Sequence, residues 1–119
     1  MASQAAGKVT DSRVKPGHNA AVHPDFDWKR IARLVHLSRT IDQIEEERLV
    51  PEKKVLYQFS ARGHDMAQIM LVSQLTEPRD ALAGYYRSRP SMLTLGVDLL
   101  DAVRSPMGRT GGYSGGRDI

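Results

Sequence analysis

The stretch Asp27–Pro51, DWKRIARLVHLSRTIDQIEEERLVP, decides the local fold. Trp28, Ile31, Leu34, Val35, Ile41 and Ile44 recur at three- and four-residue steps. Arg30, Arg33, Arg39, Asp42 and Glu46 occupy other faces. That period predicts an amphipathic helix with one apolar stripe. Asp25 or Asp27 suits its N-cap, because a short side-chain oxygen can accept from the first free N–H groups. Pro51 ends it, since the residue before proline disfavours helical dihedrals. Glu45, Glu46 and Glu47 sit at the negative end of the helix dipole. They are either paired or a solvated acidic face, and the residues alone favour the solvated face.

Working outward, Val55 to Phe59 reads as an extended segment or loop rather than a strand, with Ser60 as a cap for the next helix. Gly63 to Leu75 reads as that second helix. Met66, Ala67, Ile69, Met70, Leu71, Val72 and Leu75 cover more than one of its faces, the pattern of a buried helix. In so short a chain that burial calls for a partner. Thr76-Glu77-Pro78 stops it. Pro90 suits the first turn of a third helix, capped by Ser88 or Arg89 and closed by Gly96. Asp98 caps a fourth, Leu99 to Arg104, ended by Pro106. The local reading is mainly α. Residues 1–24 are small, polar and aperiodic, and read as a flexible arm. Residues 25–104 form the helical segment. Residues 105–119 form a glycine-rich loop that looks cut, or continued by another polypeptide.

The 119 residues suffice for one small domain. They contain no cysteine, which excludes a disulfide framework, a thiolate metal site and a cysteine nucleophile. The net charge is +3, with basic residues scattered rather than striped, so nucleic-acid binding is not indicated. No apolar run approaches the length of a membrane helix, and no signal peptide is evident. A cytoplasmic location is the default expectation. No two histidines stand at helical spacing with a carboxylate, which argues against a metal site. His64 is expected to be a structural hydrogen-bonding residue.

Asp80–Gly96, DALAGYYRSRPSMLTLG, carries the chemistry. Arg87 and Arg89 could together form an anion site, since a guanidinium is a planar fork of donors that matches phosphate oxygens. The start of the third helix adds free N–H groups. Tyr85 or Tyr86 adds a phenolic donor. The stretch is therefore either an anion site or a surface ion-pair loop, and residue chemistry alone favours the loop. Ser114 lacks the frame of a nucleophile elbow, and the glycines around it do not make a P-loop.

From about Arg33 onward, the order of these motifs resembles a known family. Gly63-His64-Asp65 opens a helix, Tyr86-Arg87 comes next, Pro90 to Gly96 forms a helix ending in glycine, and Ser114 to Arg117 reads SGGR. The chain is similar to the amino-terminal part of the α subunit, or α half of a fused chain, of thiamine-diphosphate-dependent 2-oxo acid dehydrogenases of the pyruvate, branched-chain and acetoin type. The resemblance implies a helical amino-terminal fragment of an α/β thiamine-diphosphate-binding fold. It implies that Tyr86 and Arg87, with Tyr85 beside them, hold the diphosphate, and that Phe59 lies near the substrate pocket. It implies thiamine diphosphate with Mg2+ as cofactor. The implied partners are the β subunit or β half, a second αβ unit and the lipoyl domain of the acyltransferase component. Two departures stand out. Asp65 replaces the family's glutamate and shortens an expected interface contact. The Gly-Asp-Gly…Asn motif that binds magnesium is absent, so the chain alone is expected to be inactive. The alternative is a non-catalytic helical interaction module.

Overall fold

The computed structural model describes residues 25–112 and 114–117. The arm expected over residues 1–24 lies outside them, as do Tyr113, Asp118 and Ile119. Among the described residues the architecture is helical, with no β-strand. An isolated parallel bridge joins Thr110 and Gly112. The helices are α1 (Trp28–Ile44), α2 (Asp65–Val72), α3 (Arg89–Thr94) and α4 (Leu99–Arg104). No described helix is long and apolar enough to cross a membrane.

Helix α1 begins as the sequence predicts. The Asp27 carboxylate accepts from the Arg30 N–H at 3.0 Å. Its end differs. From Glu45 to Leu49 the backbone widens into a π-helical turn, in which the Val50 N–H bonds to the Glu45 carbonyl at 2.9 Å. An α-helical continuation would have used Glu46. Val50 keeps helical dihedrals (φ −71°, ψ −49°) although Pro51 comes directly after it. Pro51, which has no N–H, leaves one gap in the ladder, but the Glu52 N–H still bonds to the Arg48 carbonyl at 3.0 Å, so the helical turns end only at Lys53. Lys53 then turns the chain at φ 55°, and Lys54 and Val55 donate back to the Leu49 carbonyl.

Helices α2 and α3 pack against α1 and against each other, and α4 packs on α3. The apolar core is small: Ile31 and Ile41 of α1, Val55, Ala61, Ile69 and Val72 of α2, and Leu93 of α3. The stripe predicted on α1 is buried only in part, since Trp28 and Ile44 are exposed. Helix α2 is not buried all round either. Ile69 and Val72 face the core, while Met66 and Leu71 face outward. Ser60 does not cap α2. It donates to Asp42 at 2.8 Å and accepts from the Arg62 N–H. His64 occupies the N-cap position with its side chain exposed and making no hydrogen bond to a described residue. Asp65 faces inward rather than toward an interface, and accepts from Arg39 Nε at 2.5 Å.

Charged groups do much of what a larger core would do. Arg89, at the start of α3, donates through Nη1 to Asp42 at 2.8 Å and through Nη2 to Glu45 at 2.6 Å. Asp42 also accepts from Ser60 Oγ and the Ala61 N–H. Glu45 is thus buried and paired, which corrects the solvated acidic face expected for Glu45–Glu47 at this position. Glu46 pairs with Arg62 at the surface, and Glu47 accepts from Gln43. Arg30 Nη2 adds a second tie, to the Thr94 carbonyl at 2.8 Å, and Ser91 Oγ joins α3 to Gln68 of α2.

The glycine-rich segment folds back on α4. A Cβ on Gly112 would lie 3.0 Å from Asp101 Oδ1, and one on Gly116, at φ +80°, would lie 2.7 Å from the Gly108 carbonyl oxygen. Both glycines are held by close approach.

Arg89→Ala leaves two buried carboxylates without their cation, and is expected to destabilise the fold by about 3–5 kcal/mol. Urea denaturation measures this, and a loss below about 1 kcal/mol would contradict the burial of the triad. A second expectation concerns acid. The hydrogen bond from Arg39 holds the Asp65 carboxyl below the usual carboxylate range, whose reference value is 3.8. The stability so gained is present above the unfolded value and lost as pH falls through the lower folded one. Thermal melts from pH 5 down to pH 2 are expected to show this limb in the native chain and to lose it in Asp65→Asn.

Candidate functional site

Residues Tyr57 to Phe59, Leu82 to Tyr86 and helix α3 surround a cleft of about 910 Å3. Its wall is aromatic because two loops meet there. Val55 anchors the first loop in the core, leaving Tyr57 and Phe59 turned outward. The second loop is held by a tight turn in which the Ser88 N–H bonds to the Tyr85 carbonyl and Ser88 Oγ accepts from the Tyr85 N–H. Gln68 of α2 steadies it by donating to the Arg87 carbonyl at 3.0 Å.

The rings form a continuous series. Tyr57 meets Phe59 edge to face at 5.3 Å between centroids, Phe59 meets Tyr86 at 4.5 Å, and Tyr86 meets Tyr85 at 4.1 Å. Arg87 lies across two of them, with its guanidinium carbon 5.5 Å from the Phe59 centroid and 5.3 Å from that of Tyr86. These are cation–π distances. Arg87 Nη1 also donates to the Ser60 carbonyl at 3.2 Å. The side chain is exposed, and its remaining donors face no carboxylate among the described residues.

The structure therefore separates the two arginines. An anion site built on both is excluded, because Arg89 is turned inward and holds Asp42 and Glu45. Tyr85, Tyr86, Arg87 and Phe59 come together at one rim. The sequence does not bring Tyr57 to this wall, nor Glu45 and Arg89 to the cleft lining. Tyr57 had a signal in its i, i+2 spacing from Phe59, which places two rings on one side of an extended segment. Glu45 stood out only as one of three glutamates at the negative end of the helix dipole, because its burial depends on a residue more than forty positions away.

The hydroxyls are electrostatically distinct. Hydrogen bonding from Arg87, then from Tyr85, lowers the Tyr86 pKa from its ordinary value. The bond to Tyr86 raises that of Tyr85. Elsewhere, Ser114 Oγ lies 3.4 Å from Ser105 Oγ and accepts from the Gly116 N–H, with no base beside it. No group of three His, Cys, Asp or Glu side chains that could hold a metal ion occurs among the described residues.

Arg87→Ala is expected to move the Tyr86 titration upward, toward the reference value of 10.0. Ring-carbon NMR titration of the tyrosines tracks each one separately. An unmoved Tyr86 would show that Arg87 does not act on its hydroxyl. No protein-family model, curated protein or solved structure matches the chain.

Proposed function

We propose that the chain contributes a diphosphate clamp to a thiamine-diphosphate-dependent 2-oxo acid dehydrogenase, an oxidoreductase that decarboxylates its substrate and passes the acyl group to a lipoyl group. The supporting observation is that Tyr85, Tyr86 and Phe59 are exposed in the lining of a cleft, with exposed Arg87 lying across the rings of Phe59 and Tyr86. A guanidinium with spare donors beside two phenols fits the oxygens of a diphosphate. Arg89 plays no part in the clamp. It lines the cleft, but its guanidinium is held by Asp42 and Glu45.

Thiamine diphosphate, when bound, supplies the electron sink for decarboxylation. The chain's own residues orient the anionic end and do no proton transfer at the reacting carbon. Magnesium and the catalytic carboxylate belong to residues outside this sequence. On this reading the helices stand ahead of the parallel sheet of the α/β parent fold. The β half, a second αβ unit and the lipoyl domain are its partners. Exposed Leu71, Leu95, Leu99 and Leu100 give such contacts apolar surface. The same leucines support a second reading, a non-catalytic helical interaction module, which requires no anion at Arg87.

Inorganic pyrophosphate separates the two. Its titration into the chain is expected to shift the NMR signals of Tyr85, Tyr86 and Arg87. Arg87→Ala is expected to weaken that binding by about 2 kcal/mol, close to thirtyfold. Shifts that are absent, or that persist unchanged in the variant, overturn the clamp and favour the interaction module. The chain alone, given cofactor, magnesium and a 2-oxo acid, is expected to release no carbon dioxide.

A further inference from the structure

Gln58 stands between Tyr57 and Phe59 and lines the cleft with them. Its amide nitrogen, Nε2, is buried and has no hydrogen-bond partner among the described residues. The hydroxyls of Ser38 and Ser73 share that condition, but neither residue borders the cleft. A buried donor that has lost water and found no acceptor is unfavourable, and folded chains hold few of them. This one sits in the wall of a cleft of about 910 Å3. That is the size of a site for a small organic molecule, roughly 300–1,000 Å3.

The charges of the lining argue against an ion as its occupant. Glu45 and Arg89 are the charged residues there, and they bond to each other at 2.6 Å. Asp42, which shares Arg89, lies outside the lining and is also held by Ser60 Oγ and the Ala61 N–H. Arg87 lies across the rings of Phe59 and Tyr86 and does not line the cleft. An ion entering the cleft would give up water for a wall whose own charges are already matched.

The rest of the wall calls for a ring. Leu56, Tyr57, Phe59, Tyr85 and Tyr86 are all exposed, and all line the cleft. So much contiguous apolar surface marks a binding site. Neighbouring rings are inclined to one another by 46° to 64°, so a flat guest meets both faces and edges.

We propose that the cleft binds an uncharged aromatic carbonyl compound, with its ring system on the aromatic wall and its carbonyl oxygen accepting from Gln58 Nε2. The open donor specifies an acceptor, the paired lining charges specify neutrality, and the exposed rings specify an aromatic body. This goes beyond the diphosphate clamp and does not rest on it, because no anion at Arg87 is required. Gln58 is the residue that sets the class of ligand.

Three probes of one skeleton test this on the full chain. Indanone is a fused aromatic ketone, indane is the same frame without the oxygen, and indane carboxylate is an anionic relative. NMR titration is expected to show indanone binding about tenfold tighter than either of the others. Tighter binding of the carboxylate overturns the uncharged class, and equal binding of indane overturns the hydrogen bond. Gln58→Leu is expected to weaken indanone about tenfold, to the level of indane, whereas Tyr57→Ala weakens both together. Undiminished indanone binding by Gln58→Leu sinks the assignment of the donor. Should that variant not fold, the side-chain amide signals of Gln58 in the native chain decide instead. They are expected to shift with indanone and not with indane, and unmoved signals overturn the proposal. If none of the probes binds, the proposal falls, while the pyrophosphate titration still reads the clamp by itself.

Discussion

The Arg89 guanidinium, with one arm on Asp42 and the other on Glu45, is the interaction on which the rest of the structure depends. The apolar core alone is small, and short helices such as α3 and α4 do not persist in water unaided. Arg89 binds the start of α3 to the end of α1 across a gap of more than forty residues. Through Asp42 it also fixes the loop at Ser60 and Ala61. That loop in turn leads from the aromatic segment to α2. A planar, permanently charged fork suits such a junction better than a lysine would, because two carboxylates can be met at once in a fixed plane.

The cost of the arrangement is desolvation. Two carboxylates and one guanidinium leave water, and the set carries an excess negative charge. Pairs of this kind contribute little net stability compared with apolar packing of the same volume, yet removing one partner is severe. What they give is a defined register. Helix α3 can sit in one place along α1, since a slide of one turn would strand both acids. The loop carrying Tyr85, Tyr86 and Arg87 runs directly into α3, so the rim of the cleft inherits that register.

Local features were legible in the sequence where local chemistry controls them. The caps at Asp27 and Asp98, the proline of α3, the glycine at 96 and the span of α4 all obey short-range rules. The π-helical turn was not legible, because nothing in the order of residues distinguishes it from a frayed α-helical end. The triad was half legible. The three glutamates stood out against the helix dipole, but the partner of Glu45 is set by tertiary packing. At the rim, residue chemistry offered Tyr85 or Tyr86 and the two arginines only as possible donors and favoured an ion-pair loop, and the resemblance singled out Tyr86 and Arg87, whereas Tyr57 entered only when the loops closed. The same distance in sequence explains the error over Asp65, whose internal partner, Arg39, lies on another helix.

The placement of the aromatic residues has an optical consequence. Trp28 is the sole tryptophan of the chain, and it sits at the first turn of α1 in edge contact with Phe26, 5.5 Å between centroids. It does not line the cleft. Intrinsic fluorescence excited in the indole band therefore watches the amino-terminal end of α1 and is blind to events at the aromatic wall. Emission from that wall belongs to Tyr57, Tyr85 and Tyr86, whose close spacing makes them exchange excitation among themselves before they emit.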